Sequence, residues 1–328
     1  MLCALAFQTS YAQNVTVSLA YDNPSAGYIV DGQGTTDLAH FSFNGDDTIT
    51  SITLERYGFS TNSIFTNVYL YDGYSAYTGR SGMIRITQGY RFNSNGEIVI
   101  SNLHIVASSY MIICVKADVS SDASATSSTF EMKLTSYTVA SSDSPISVNL
   151  AGNMMYVGSA PTNMASAALI KSANAEVSDT TVQLNTANHT MWADTLKISN
   201  NPVYLESVNF RFVGSASIDA VQNLKLYVDG SLASETSAGS NGYALFDLTS
   251  MAVSLKVGLH AFKVCGDVGT SDTNKNFKFL FETPGDIVIT DQRIGINVPV
   301  SNIVSYGTAG LITIACTSRD SVVVPGTI

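Results

Sequence analysis

The sequence predicts an all-β protein: two tandem immunoglobulin-like antiparallel β-sandwich domains, with extra strands at the ends of the chain. Two observations support this prediction: apolar and polar residues alternate strictly, and the chain repeats itself at an offset near 150 residues. Alternation with a period of two is typical of strands that bury one face and expose the other. A repeat of domain length indicates duplication of one folding unit.

Alternating segments recur along the chain and are separated by turn-forming pairs such as Asp-Gly, Asn-Gly and Asn-Pro. Clear examples are Ile52 with Leu54, Val68 with Leu70, Ile98 with Ile100, Val208 with Phe210, and Leu224 with Leu226. About seven such strands in each copy favour an immunoglobulin-like sandwich. The Cys-Trp-Cys core of antibody domains is missing, because the single tryptophan is Trp192.

The repeat is clearest where residues 49–73 align with residues 205–230. Aligned positions carry the same residue type: Gly58 and Gly214, Asn67 and Asn223, Leu70 and Leu226, Asp72-Gly73 and Asp229-Gly230. Further on, Gly96 aligns with Gly242 and Asp118 with Asp267, each near the start or end of a predicted strand. The predicted domains are an apolar N-terminal segment at 1–13, sandwiches at 14–160 and 161–305, and a C-terminal strand and tail at 306–328.

The two ends of the chain carry a third, partial copy of the pattern. Residues 14–30 and 310–326 share the same alternation, which predicts a C-terminal strand without a module of its own. Either the chain is a fragment of a longer protein, or this strand completes a sheet in another subunit. In the second case the joint is formed by alternating apolar residues of both ends: Val15, Val17, Leu19, Ile312, Ile314 and Cys316.

Composition indicates an exported protein. The 328 residues carry a net charge of −10, and 13% of them are charged, against roughly 25% in ordinary domains. An acidic chain without Lys/Arg clusters argues against binding to nucleic acid or anionic membranes. No apolar run approaches the length of a transmembrane helix. Residues 1–13 resemble the tail of a signal peptide, and are either such a remnant or a docked strand.

The residues of both copies resemble a known group of proteins. The series at 15–26, 29–43, 52–73 and 116–122 resembles the opening module of large secreted cell-surface proteins from ultra-small candidate-phylum bacteria. The series at 201–230 and 240–248 is similar to the module that follows it in them. The resemblance implies a surface-layer or extracellular-fibre component, and it supplies no catalytic residues.

The chemistry-bearing residues give no catalytic motif. The four histidines, His40, His104, His189 and His260, lack metal-ligand spacing, and no nucleophile–base signature is present. The cysteines show no zinc spacing, and Cys114 and Cys265 are expected to pack as small apolar residues. We therefore expect no enzyme, no cofactor and no metal ligand that can be named. Structural calcium is a weaker alternative, suggested by loop acids: Asp46, Asp47, Asp118, Asp122, Asp267 and Asp272.

Tyrosines cluster in the first copy, at positions 57, 69, 71, 74, 77 and 90. They allow three interpretations: a sugar-binding platform, cross-strand pairs within a sheet, or a subunit interface. The function predicted from the sequence is an extracellular structural protein that self-assembles head to tail into a cell-surface filament or layer, by strand donation between copies. The alternative is a secreted adhesin or glycan-binding module.

Overall fold

The computed structural model describes residues 15–73, 84–108, 111–123, 128–170, 178–237, 239, 242–251 and 253–315. The chain divides into two compact units, Met1–Ala160 (unit 1) and Pro161–Ile328 (unit 2). Within the described residues, nearly all regular structure is β-strand. The exceptions are three single 3₁₀ turns and the four-residue helix α1, Ile303–Tyr306.

Unit 1 contains twelve described strands. They are β1 (Thr16–Leu19), β2 (Gly27–Val30), β3 (Thr36–Asn44), β4 (Thr48–Gly58), β5 (Phe65–Asp72), β6 (Ile84–Arg85), β7 (Glu97–Ile100), β8 (Ile105–Val106), β9 (Met111–Val119), β10 (Thr129–Val139), β11 (Ser142–Ala151) and β12 (Met155–Gly158). One sheet has the order β1-β3-β9-β5-β6 and the other β2-β12-β10-β4-β7, with β11 beside β10 and β8 beside β4.

Unit 2 contains fourteen described strands. They are β13 (Ser166–Ile170), β14 (Thr180–Gln183), β15 (His189–Ser199), β16 (Val203–Gly214), β17 (Val221–Val228), β18 (Ser231–Thr236), β19 (Tyr243–Asp247), β20 (Val253–Leu255), β21 (Gly258–Val268), β22 (Asn276–Leu280), β23 (Ile287–Asp291), β24 (Asn297–Val298), β25 (Val300–Ser301) and β26 (Ile312–Ala315). The sheets run β18-β17-β21-β15-β13-β25 and β14-β26-β22-β16-β23-β24, with β19 and β20 also on β16.

Both units have the immunoglobulin strand arrangement, in which strands A, B, E and D face strands C, F and G. In unit 1 the first sheet is β1-β3-β9-β5 and the second β4-β10-β12; in unit 2 the counterparts are β13-β15-β21-β17 and β16-β22-β26. Each unit also has a strand paired in parallel with its G strand, β2 with β12 and β14 with β26. The prediction of two tandem immunoglobulin-like sandwiches is therefore confirmed.

Each sandwich encloses its own apolar core. Alternate residues of each strand point inward: Ile52 and Leu54 of β4 are buried in unit 1, and Val208 and Phe210 of β16 are buried in unit 2. Trp192 lies in the core of unit 2, where its ring packs edge-on against Phe210. Burial of these alternating side chains is the main driving force for the fold.

Gly58 and Gly214 show why the repeat preserves a glycine. Both end the C strand of their sandwich with positive φ values of 120° and 148°. A Cβ atom on Gly58 would lie 2.7 Å from the Thr129 carbonyl oxygen, and one on Gly214 would overlap the Asn276 carbonyl oxygen. Only a residue without a side chain allows the C and F strands to approach so closely.

The C-terminal strand requires a correction to the expected domain boundaries. The segment from residue 306 was expected to hold a strand without a module, but β26 pairs in parallel with β14 and antiparallel with β22, all within unit 2. It is the G strand of unit 2, and β12 is its counterpart in unit 1. The alternation it shares with β1 marks any half-buried strand, so it did not identify which strand this is.

Candidate interaction surfaces

The strand β1 forms an edge of unit 1. It pairs with β3 on one side, in the register Val17 with Phe43 and Leu19 with Phe41. The Ala20 N–H donates to the His40 carbonyl oxygen at 2.9 Å. This bond shows which alternate residues of the strand form hydrogen bonds to β3. Because antiparallel pairs alternate, the N–H and C=O groups of Val17 and Leu19 point away from β3. Within the described part of the chain, no strand pairs with this outer edge.

The structure places the three predicted joint residues of β1 differently. Val15 is buried in the core, and its carbonyl accepts a hydrogen bond from the Tyr137 hydroxyl at 2.6 Å. Val17 is half-buried and packs against the same core. Leu19 is 36% exposed and belongs to the surface. The edge of β1 is therefore anchored at Val15 and open from Val17 to Leu19.

The predicted joint residues at the C-terminus do not form a free strand. Ile312 and Ile314 are fully buried in the core of unit 2. Cys316 lies outside the described residues. Donation of this strand to another subunit would require unit 2 to lose its own G strand, so β26 is not a spare strand. The structure thus brings Val15, Val17 and Leu19 together on one edge and leaves Ile312 and Ile314 inside unit 2.

In unit 2 the equivalent first strand, β13, is covered. The strand β25 pairs with it in parallel, Ala167 facing Val300. The Ser301 hydroxyl donates to the Ala167 carbonyl at 3.0 Å, and the Asn302 side-chain amide donates to the Leu169 carbonyl at 3.1 Å. Leu169, which the strand registers match with Val17, is 0% exposed. The residues that close this edge have no described counterpart in unit 1.

The tyrosine cluster predicted from the sequence is divided by the structure. Tyr69 and Tyr71 are buried on the outer side of the first sheet of unit 1, in a small cluster with Ile112 and Cys114. Their rings pack edge-on at 6.2 Å along β5, and Tyr71 lies opposite the buried Cys114 of β9, so the pair is buried packing rather than an exposed platform. Tyr57 is exposed, Tyr90 is half-buried, and Tyr74 and Tyr77 lie outside the described residues.

Asp118 accepts a group of buried hydrogen bonds in unit 1, and its pairing with Asn67 is called the latch of this unit. Its carboxylate accepts hydrogen bonds from the Thr35 N–H (2.9 Å), the Asn67 amide (3.2 Å) and the Tyr69 hydroxyl (2.5 Å). The guanidinium of Arg85 is also buried, and lies 5.6 Å from the Tyr69 ring centroid. Burial raises the pKa of Asp118, and the three hydrogen bonds oppose that rise. A buried carboxylate that accepts three hydrogen bonds in this way fixes the segments it joins.

Unit 2 repeats the latch at its surface. The Asp267 carboxylate accepts from the Asn223 amide at 2.7 Å and from the Asn188 N–H at 2.8 Å. These two hydrogen bonds lower the pKa of Asp267, because there is little burial to oppose them. The pairing of Asn67 with Asp118, and of Asn223 with Asp267, follows the alignment of the repeats residue by residue.

His40 lies in a second group of titratable side chains on β3. Its Nδ1 is 3.3 Å from Asp22, its Nε2 is 3.4 Å from Asp37, and Lys116 is 3.4 Å from the same Asp37 oxygen. Burial alone would lower the pKa of His40, but the contacts with Asp37 and the Cys114 thiol raise it to about 10. The imidazolium thus acts as a structural cation between two acidic side chains.

The loop acids considered for calcium are held by protein donors. Asp47 accepts from Ser141, Asp122 from Ser120, and Asp272 from Ser217. Among the described residues, no group of three or more His, Cys, Asp or Glu side chains is placed to hold a metal ion. Cys114 and Cys265 are buried as free thiols. In the same part of the chain, no helix is long and apolar enough to cross a membrane.

Sequence reasoning missed two exposed apolar surfaces. In unit 2, a groove of about 310 Å³ between β18 and β20 is lined in part by Leu232, Met251 and Leu255. Leu232 and Met251 are exposed, as are Val257 and Leu259, which follow Leu255 in the chain. In unit 1, Tyr28 and Tyr156 are exposed beside each other. These exposed apolar residues are separated from one another in the sequence. They can be recognised as surfaces only when the strand pairing is known.

Comparison with known proteins identifies no family for the chain. No protein-family model matches the chain, and no curated protein matches it. A protein from Corynebacterium diphtheriae described as membrane anchored is 8% identical, with a TM-score of 0.21; the match covers 93% of this chain and 59% of that one.

Two further solved structures match most of the chain. The fibronectin(III)-like modules of CbhA from Clostridium thermocellum are 10% identical with a TM-score of 0.16, covering 92% of this chain and 94% of theirs. CfaE, the adhesive subunit of CFA/I fimbria of enterotoxigenic Escherichia coli, is 12% identical with a TM-score of 0.20, covering 92% and 86%. Similarities at this level identify no function, and the resemblance to proteins of ultra-small bacteria stays a prediction.

Proposed function

We propose that the chain is a non-catalytic extracellular structural protein whose copies join head to tail into a cell-surface filament or layer. Its low charge and its tandem sandwich architecture suit such a role. The observation that carries the proposal is the outer edge of β1 in unit 1, with which no described strand pairs, beside the closed edge of the equivalent β13 in unit 2.

An open strand edge is a site for pairing with another chain. Proteins that have no use for such an edge cover it, shorten it or place charges on it. Unit 2 covers its edge with β25 and two side-chain hydrogen bonds, whereas the described part of unit 1 presents Val17 and Leu19. The fold therefore does not require the edge to be open, which supports a role for it in contact between copies.

The second half of the joint is the apolar groove of unit 2, where Leu232 and Met251 are exposed. Scattered exposed aliphatic residues are ordinary, but here two of them line a groove beside the edge strand β18. A contact between two different surfaces is heterologous, and it propagates into an open chain when the rotation does not close. The β1 edge of one copy would thus meet the β18 groove of the next.

Light scattering after size-exclusion chromatography tests this joint with the full chain. Leu19→Lys and Leu232→Lys should each reduce polymers to monomers, because each places a charge in one half of the joint. Val99→Lys is the matched control, since Val99 is exposed on the edge strand β7 of unit 1. It should polymerise like the unmodified chain.

Mixing the two lysine variants sharpens the test. Each variant keeps one intact half of the joint, so an equimolar mixture should form dimers and nothing larger. A monodisperse monomer from the unmodified chain at high concentration would contradict self-assembly. Polymers from both lysine variants would contradict this location of the joint.

A further inference from the structure

The outer face of the second sheet of unit 1 carries a line of exposed aromatic residues. Tyr28 of β2 faces Tyr156 of β12, and Tyr156 faces Thr129 of β10. The next pair in the register, Phe130 with Gly58, places Phe59 beside Thr129 at the end of the same line. Tyr28 is 77% exposed, Tyr156 41% and Phe59 92%. The two tyrosine rings have centroids 5.4 Å apart and planes tilted by 33°.

Unit 2 shows that the fold does not need these rings. The equivalent pair between β14 and β26 is Thr181 with Thr313. The β16–β22 register, Gly214 with Phe277, makes Ser215 the counterpart of Phe59 and Asn276 that of Thr129. All four positions in unit 2 are thus small and polar, on strands with the same pairing. Three aromatic rings at matching positions of unit 1 therefore point to a ligand rather than to sheet stability.

The surroundings of the line indicate what kind of ligand fits. Tyr57 lies beside it, opposite Glu131, and its ring is covered by the Lys133 ammonium at 3.4 Å from the centroid. Thr129 lies opposite Tyr156 and Glu131 lies opposite Tyr57, and the whole chain carries a net charge of −10. Nucleic acids, whose bases also stack on aromatic rings, are disfavoured by this charge.

We propose that this face of unit 1 binds a neutral polysaccharide. Pyranose rings present a face of C–H groups that packs against an aromatic ring, while their hydroxyl groups stay at the rim, where polar side chains and water satisfy them. Tyr28 and Tyr156 would carry neighbouring sugar residues, and Phe59 would carry one further along. A line of rings across several strands of a sheet suits an extended chain better than a single sugar.

Co-sedimentation of the full chain with insoluble cellulose, chitin, xylan and β-1,3-glucan tests the proposal. The unmodified chain should bind at least one of them. The double variant Tyr28→Thr/Tyr156→Thr, which installs the residues of unit 2, should bind at least tenfold more weakly. Tyr28→Phe/Tyr156→Phe, which keeps the rings, should retain most of the binding. Tyr204→Thr is the matched control, because Tyr204 is an exposed tyrosine on β16 of unit 2.

Several results would overturn the proposal. One is an unmodified chain that stays in solution with all four polysaccharides, and another is a Tyr204→Thr control that loses as much binding as the double threonine variant. Loss of self-association instead of polysaccharide binding in the double variant would show that this face is a contact between copies. Circular dichroism and Trp192 fluorescence confirm that each variant is folded, and loss of binding in the folded phenylalanine variant would argue against stacking.

Discussion

The two units share one strand arrangement, but equivalent side chains lie in different environments in them. The Asn67–Asp118 latch of unit 1 is buried with Tyr69 and Arg85, whereas the Asn223–Asp267 latch of unit 2 lies at the surface. The pKa of the carboxyl group is accordingly raised by burial in unit 1 and lowered by hydrogen bonds in unit 2. The same hydrogen bond is therefore kept in both repeats, while its burial determines how much it contributes to stability.

The largest difference between the units is expected at the two latches. Asp118→Ala leaves the buried donors of Tyr69, Asn67 and Thr35 without their acceptor, and should lower the free energy of unfolding of unit 1 by about 3 to 5 kcal/mol. Asp267→Ala should cost unit 2 about 1 kcal/mol, because water can replace the lost hydrogen bonds. Hydrogen exchange measured separately on peptides of each unit checks this ratio. Equal losses in the two units would contradict the role given to burial.

The next difference concerns the last strand of each unit. Ile314→Ala in β26 should lower the free energy of unfolding of unit 2 by about 2 to 5 kcal/mol, since Ile314 is fully buried. Val157→Ala at the matching position of β12 removes a smaller, less completely buried side chain and should cost unit 1 less. Trp192 lies in unit 2 alone, so its fluorescence during urea unfolding reports the first effect. An unchanged urea midpoint for Ile314→Ala would contradict the placement of β26 in the core.

A smaller effect is expected at the glycines that end the C strands. Gly214→Ala forces a Cβ atom against the Asn276 carbonyl at positive φ, and should destabilise unit 2 by about 1 to 3 kcal/mol. Gly230→Ala is the control, because Gly230 has a positive φ but nothing within 4 Å of the added atom. Urea unfolding followed by Trp192 fluorescence should place the control closer to the unmodified protein. The reverse order would show that the close strand approach does not matter.

The last expected effect is a pH dependence that His40 gives to unit 1. The pKa of His40 is raised to about 10, so its protonated form stabilises the folded state. This contribution is complete below the unfolded pKa near 6.5 and is lost as the pH rises towards 10. His40→Asn should remove this part of the alkaline decline in unit 1, measured by hydrogen exchange corrected for intrinsic rates. An identical decline in the variant would show that other groups cause it.

Much of the fold could be predicted from the sequence because alternation and repetition are local signals. The repeat aligned Asn67 with Asn223 and Asp118 with Asp267, and the sandwich class followed from the period of two. The sequence could not predict that Ile312 and Ile314 belong to the G strand of unit 2, because alternation does not distinguish one half-buried strand from another. For the same reason, deletion of residues 311–328 would remove the G strand of unit 2, and would not test assembly alone.

The surfaces were harder to predict than the core. Val17 and Leu169 occupy matching positions in similar strands, but Val17 is half-buried and Leu169 is fully buried, because residues 300–302 return to the edge of unit 2. Alternation predicts that Tyr69 and Tyr71 face solvent, which allowed their interpretation as a sugar-binding platform. In the structure, this side of the sheet carries a second buried cluster. Both differences arise from contacts between segments distant in sequence.

Directed cross-linking tests the head-to-tail joint most directly. Cys3 and Cys316 are first replaced by serine, while the buried thiols of Cys114 and Cys265 are kept. A chain carrying Leu19→Cys is then mixed with one carrying Leu232→Cys under mild oxidation. The account predicts disulfide-linked heterodimers between the two variants and few homodimers of either. Homodimers through residue 19 alone, or no cross-link between chains, would contradict a joint between the β1 edge and the β18 groove.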